Sequence, residues 1–317
     1  VSRTLHRSLL LGLVLAGLTP VWVRPDVDDL GMPRGIPPRA LTDALALTPD
    51  AVAVFIGDPS YVGTLTDIEG LAAVAHAHRG SRARGGADGI PLVVDAAWGA
   101  HFGFHPALPG HALARGADAL VTSAHKTLPA WSQGALVLAR TERIDPARLA
   151  AAVDATATTS PSGAILASID ASRALLARDG EALLGTAIAA TRAARDHLRQ
   201  VPGLTVVDGP HVDPAKLILV LSGTGADGNA IEQDLLSLFP RQPRDALQFG
   251  QMYLPGLVEF RLTGFLRAAA FLQLPFAGLH GIKTLFEVLP TLLNAILLTG
   301  QFLGQAIEFF STGSTFF

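Results

Sequence analysis

The chain has 317 residues, enough for one large or two ordinary domains, with 16% charged residues and a net charge of −3. That balance leaves no basic surface for nucleic acid. There is no cysteine, which excludes disulfides and thiolate metal sites and agrees with a cytoplasmic protein.

In chain order, Arg3-Thr4-Leu5-His6-Arg7 followed by the apolar run Leu9 to Leu18 has the outline of a secretory leader. Thr19-Pro20-Val21-Trp22 supplies no small-x-small cleavage site, so we read these residues as structure. Ser2 or Thr4 caps a helix over residues 8–17, and Val21-Trp22-Val23 is a strand. Residues 25–38, rich in Pro and Gly, form a loop. Its Asp26, Asp28 and Asp29 lack the Gly and terminal Glu of a calcium loop and are expected to be solvated.

A short helix follows over residues 39–47, then a buried strand over 51–57 that ends at Asp58-Pro59. Asp67 caps a helix that reaches about His78. His76 and His78 are two apart and diverge on a helix, so they make no metal pair. Gly80 to Gly89 reads as a surface loop, although its two arginines among glycines also suit a phosphate grip.

The run Ile90 to Val94 is a strand that ends on Asp95, and a turn follows to Pro106. A short helical stretch over residues 111–117 leads to a second run, Ala119-Leu120-Val121, which ends in Thr122-Ser123-Ala124-His125-Lys126. Strands alternating with helices predict an α/β fold with a mainly parallel, doubly wound sheet. In such sheets ligands bind outside the carboxyl ends of the strands, where this sequence puts an acid and a lysine. A lysine there can form a Schiff base and an acid can hold a protonated pyridine nitrogen, the protein's half of pyridoxal phosphate chemistry.

Ala135 to Leu138 is a further strand. Thr158-Thr159-Ser160-Pro161-Ser162 opens a long helix that Asp179-Gly180 interrupts, and a second helix ends near Pro202-Gly203. Leu204 to Val207 and Leu217 to Leu221 are strands of a smaller α+β domain. From Leu257 to Phe317 only Glu259, Arg261, Arg267, Lys283, Glu287 and Glu308 are charged. Leu285 to Leu303 carries Glu287, Pro290, Asn294 and Gln301, which make it a poor membrane span. The expected organisation is a large cofactor domain over 1–157, a long helix and the start of the small domain over 158–236, and an apolar tail of unassigned fold over 237–317.

Asp95-Ala96-Ala97-Trp98-Gly99-Ala100-His101-Phe102-Gly103-Phe104-His105-Pro106, with Thr122-Ser123-Ala124-His125-Lys126-Thr127-Leu128, closely resembles the Orn/Lys/Arg decarboxylase family. Those proteins are fold-type I pyridoxal-phosphate enzymes, and Ser-x-His-Lys-x-Leu resembles their cofactor-attachment signature. Residues 2–24, the turn 58–64 and the Thr158–Ser162 junction also resemble stretches of the family.

The resemblance implies decarboxylation of lysine, ornithine or arginine to the amine with pyridoxal 5′-phosphate, by a homodimer or larger assembly. Lys126 would carry the cofactor and Asp95 would pair with its ring nitrogen. Ser123 and His125 would lie near its phosphate, and Ala97 and His6 against its two faces. Trp98 matches a tryptophan that some members carry at this position, and ordinary core packing explains it equally well. The family's upstream Gly-Ser/Thr phosphate turn has no counterpart here, so an N-terminally truncated chain with weakened phosphate binding is expected. Two other readings are a catalytically silent homologue and another fold-type I activity such as aminotransfer.

Overall fold

Three apolar runs align as parallel strands: β1 (Val54–Gly57), β2 (Leu92–Asp95) and β3 (Ala119–Thr122). They come from a computed structural model that describes residues 1–79, 88–140, 142–226 and 228–229, with the backbone of 257–260. Strand β4 (Leu136–Ala139) adds an antiparallel edge, so the sheet is mixed, mostly parallel, in the order β1-β2-β3-β4. The register sets Gly57 beside Asp95 and Asp95 beside Val121.

Side chains alternate across a strand, so Val54, Ile56, Leu92, Val94 and Leu120 share one face. They join one core with Leu41 and Leu45 of α2 (Pro38–Ala46) and with Ile68, Leu71, Ala72 and Ala75 of α3 (Ile68–Ala77). Asp67 caps α3 as predicted, its side chain accepting from Gly70 N. On the opposite sheet face the register partners Val121 and Val137 are exposed.

Two buried carboxylates brace this sheet. Beyond the end of β1, Asp58 accepts from Thr66 N at 2.7 Å and pairs with Arg115 Nη1 at 3.0 Å. Arg115 also donates to Thr66 O, so one guanidinium closes the turn over residues 58–66. It belongs to a single 3-10 turn, Ala112–Arg115. At the other end of the sheet, Asp118 accepts from Leu92 N and His76 Nε2, both at 2.8 Å, and from Arg143 Nη1 at 3.2 Å. His76 therefore serves a structural cluster with Asp118 and Arg143.

Several local expectations are corrected. Helix α1 (Arg7–Leu15) is capped by His6, not by Ser2 or Thr4, because its ring accepts from Ser8 N. It stops ahead of Gly17, whose φ of +64° is a left-handed helix ending. Val21–Val23 forms no strand; Val23 makes only an isolated bridge to Ser2. Asp179-Gly180 does not break the long helix, and α6 runs through it from Gly163 to Leu198. A Cβ at Gly180 would lie 3.1 Å from Phe104 O, so this glycine admits a neighbouring backbone instead of ending a helix. The short helices α4 (Ala124–Thr127) and α5 (Pro146–Thr156) were not anticipated; α5 has Asp145 as its cap and no buried residue.

The chain divides into two compact units, Val1–Glu181 and Ala182–Phe317, with the division inside α6. In the second unit β5 (Thr205–Val207), β6 (Leu217–Val220) and β7 (Leu257–Phe260) form an antiparallel sheet. Strand β7 lies in the stretch for which no fold was assigned. Leu198 of α6 packs with Leu219 and Leu221. The buried Arg195 guanidinium donates to Asp208 at 2.7 Å and to the carbonyls of Asp213 and Lys216. The Gly80–Gly89 loop over 80–87 and the apolar chain after 260, with Leu285–Leu303, lie outside the described residues. No helix among the described residues is long and apolar enough to cross a membrane.

Breaking a buried ion pair by removing one partner costs about 3–5 kcal/mol. Arg115→Met should therefore lower unfolding stability by about that much in denaturant titration, and an unchanged midpoint would show that the pair is idle. Burial pushes the Asp208 carboxyl up, but the Gly209 N–H and the Arg199 and Arg195 guanidiniums outweigh it and hold it below 3.8. A lowered folded-state value stabilises above the ordinary carboxylate range and is lost as pH falls through it. The second unit should thus weaken in acid below about pH 4, and Asp208→Asn should flatten that dependence in thermal melts.

Candidate active site

Strands β2 and β3 are parallel neighbours, so their carboxyl ends open on the same sheet edge. Asp95 is the last residue of β2. Its Oδ1 accepts from Ala97 N at 3.1 Å, an Asp-initiated turn, and its Oδ2 accepts no hydrogen bond among the described residues. The turn is stitched to β3. Ala96 N donates to Val121 O at 2.8 Å, and Thr122 Oγ1 donates back to Ala96 O at 2.9 Å.

Lys126 lies on α4, the first turn after β3. Its Nζ sits 4.8 Å from the ring centroid of Trp98, three residues beyond Asp95. That is a cation–π distance, and it brings the amine to the turn that Asp95 initiates. Ser123 is the residue before α4 and makes no side-chain capping bond to it. His125 Nδ1 donates to Gly134 O at 2.7 Å, so the ring's other nitrogen, Nε2, is left for another partner. Asp95, Ala97, Trp98, Ser123, His125 and Lys126 are all half-buried.

His6 is placed differently. It is exposed, and its Nδ1 is engaged with Ser8 N and, at 2.8 Å, with Ser8 Oγ. Its neighbour Leu5 reaches the sheet edge: a Cβ on Gly57 would meet Leu5 Cδ2 at 3.7 Å and Asp95 O at 3.9 Å. The segment carrying His6 therefore passes the ends of β1 and β2 while the ring caps α1. The sequence assigned no role to Thr122, beyond its place in the motif, or to Gly134. Nothing in a single sequence signals that a hydroxyl will cross to the neighbouring strand, or that a distant carbonyl will hold a ring.

The donor set fits pyridoxal 5′-phosphate. An acid with one open oxygen suits a ring N–H, an amine suits an aldehyde, and a hydroxyl and an imidazole beside it suit a phosphate. Among the described residues no group of His, Asp and Glu is placed to hold a metal.

Comparison with known proteins points the same way. An arginine decarboxylase of Halalkalibacterium halodurans is 32% identical over 238 residues, covering 72% of this chain and 46% of that protein. The chain spans about half the length of the curated relatives it matches. A lysine decarboxylase from Francisella novicida superposes with a TM-score of 0.63 at 17% identity, over 92% of this chain and 44% of that one. The constitutive lysine decarboxylase of Escherichia coli gives 0.60 at 21% identity, over 84% and 44%. Both share the fold-type I architecture. The family model for the Orn/Lys/Arg decarboxylase major domain matches residues 1–228. The chain belongs to the Orn/Lys/Arg decarboxylase family, whose cofactor is pyridoxal 5′-phosphate.

Proposed function

We propose that the chain carries the cofactor-binding core of a cytoplasmic, homo-oligomeric decarboxylase that converts a basic amino acid to its amine and CO2. Lysine, ornithine and arginine are the candidate substrates. The observation that carries this reading is the juxtaposition of the Asp95 turn and the Lys126 amine at one sheet edge, bridged by Trp98. When bound, pyridoxal 5′-phosphate supplies an electron sink for the pair left behind by the departing carboxylate.

Each residue's task follows from its setting. Lys126 Nζ would hold the cofactor aldehyde, and the same amine could carry a proton within the site. Asp95 Oδ2 would hold a proton on the ring nitrogen through a charge-assisted hydrogen bond. Ala97 N fixes the other carboxylate oxygen, so the acid is oriented before any ligand arrives. Ala97 would offer a small side chain to the ring, and His6, which caps α1 through Ser8 in this structure, would be the residue for its other side. Ser123 and His125 would bind the phosphate as hydrogen-bond donors from the turn that leads into Lys126. Trp98 steadies the lysine amine.

Borohydride reduction of the full chain with pyridoxal 5′-phosphate should fix the label on the peptide containing Lys126. Label on Lys216 or Lys283 instead would remove the basis of the reading. Asp95→Asn should leave that trapping intact while amine formation from lysine, ornithine or arginine falls about a hundredfold or more. Unchanged amine formation would reduce Asp95 to a turn-former, and a keto-acid product would indicate aminotransfer.

A further inference from the structure

The turn at 131–134, between α4 and β4, is held in a strained shape by a helix with no assigned part in the chemistry. Gln133 has φ +73° and is the only non-glycine residue with a positive φ among the described residues. L-residues adopt that region when their surroundings impose it. Here the surroundings are Ser168 and Ile169 of α6.

Ser168 is 3% exposed. Its Oγ accepts from Trp131 N at 3.0 Å and donates to Ile165 O at 2.7 Å, so the hydroxyl is committed in both directions. A Cβ on Gly134 would come within 3.0 Å of Ile169 Cδ1, so the bare backbone of a glycine fits against the helix. Gly134 N closes the turn on Trp131 O at 3.2 Å. Its carbonyl, fixed in this way, accepts from His125 Nδ1 at 2.7 Å and from His125 N at 3.4 Å.

We propose that Ser168 is a positioning residue that acts through the 131–134 turn to set the orientation of the His125 ring, with Nδ1–H on Gly134 O and Nε2 toward the phosphate side. The proposal rests on the reading of His125 as a phosphate-side residue. With Trp131 N anchored, the Gly134 carbonyl accepts from His125 Nδ1–H and turns Nε2 to the phosphate side, where a second ring proton makes it a donor to a phosphate oxygen. Without that anchor the turn relaxes from its left-handed residue, the carbonyl shifts, and the ring can turn away from the phosphate side.

The test is binding of pyridoxal 5′-phosphate to the full chain, read from cofactor absorbance, in Ser168→Ala, His125→Gln and the double variant. Ser168→Ala should weaken binding about fivefold to tenfold, the scale of one lost hydrogen bond, and should have no further effect once His125 is Gln. Ser168→Thr keeps the hydroxyl and should bind like the wild type. Independently of any variant, nitrogen NMR of the histidine-labelled wild-type chain should show His125 protonated on Nδ1. An Nε2–H tautomer, or strict additivity of the two substitutions, overturns the role of Ser168. If His125→Gln alone leaves binding unchanged, the phosphate-side reading of His125 fails, and the proposal falls with it.

Discussion

The parallel register of β1, β2 and β3 is the constraint from which the rest follows. A slip of one residue in a strand moves every side chain to the other face. In β2 it would expel Leu92 and Val94, both fully buried, and carry Asp95 away from its place beside Val121. The register is pinned at both ends. At the amino end the Asp118 carboxylate takes Leu92 N, His76 and Arg143 together. At the carboxyl end Ala96 N and Thr122 Oγ1 tie the two strand exits to each other. The apolar core beneath α2 and α3 then makes the pinned register the stable one.

Chemistry accumulates at the pinned edge because backbone geometry delivers it there. Asp95 must end β2, since the turn it starts uses its own carboxylate to accept Ala97 N. Lys126 must follow β3 by one helical turn, which sets its amine over Trp98. Among the described residues the acid keeps one oxygen open while the other is satisfied by Ala97 N, so its orientation is set by the fold before any ligand binds. Preorganisation of this kind is what electrostatic catalysis requires, because the dipoles are already aimed when charge develops. Asp58 and Arg115 extend the same bracing to the turn after β1, which passes Asp95 through the bond from Asp58 N to Asp95 O.

Much of this was legible from the sequence, for physical reasons that differ by element. Continuous apolar runs that stop on a polar residue marked β1, β2 and β3, because buried parallel strands have no wet face to encode. Asp67 announced α3 because a side-chain cap is a local event. The acid and lysine stood out because strand ends are where such groups are useful. What stayed hidden was long-range. Gly180 looks like a helix break until Phe104 is seen against it. Val21–Val23 has strand composition but only a bridge partner, Ser2. The link from Ser168 to His125 joins residues far apart in sequence through a backbone turn, and no local pattern records it.

The central claim is that Asp95 and Lys126 serve one cofactor, with the acid holding a proton on the ring nitrogen. The most direct measurement is the nitrogen NMR shift of ring-labelled pyridoxal 5′-phosphate bound to the full chain near neutral pH. A protonated ring nitrogen in the wild type and an unprotonated one in Asp95→Asn is the predicted result. An unprotonated nitrogen in the wild type, or the same shift in both proteins, would contradict it.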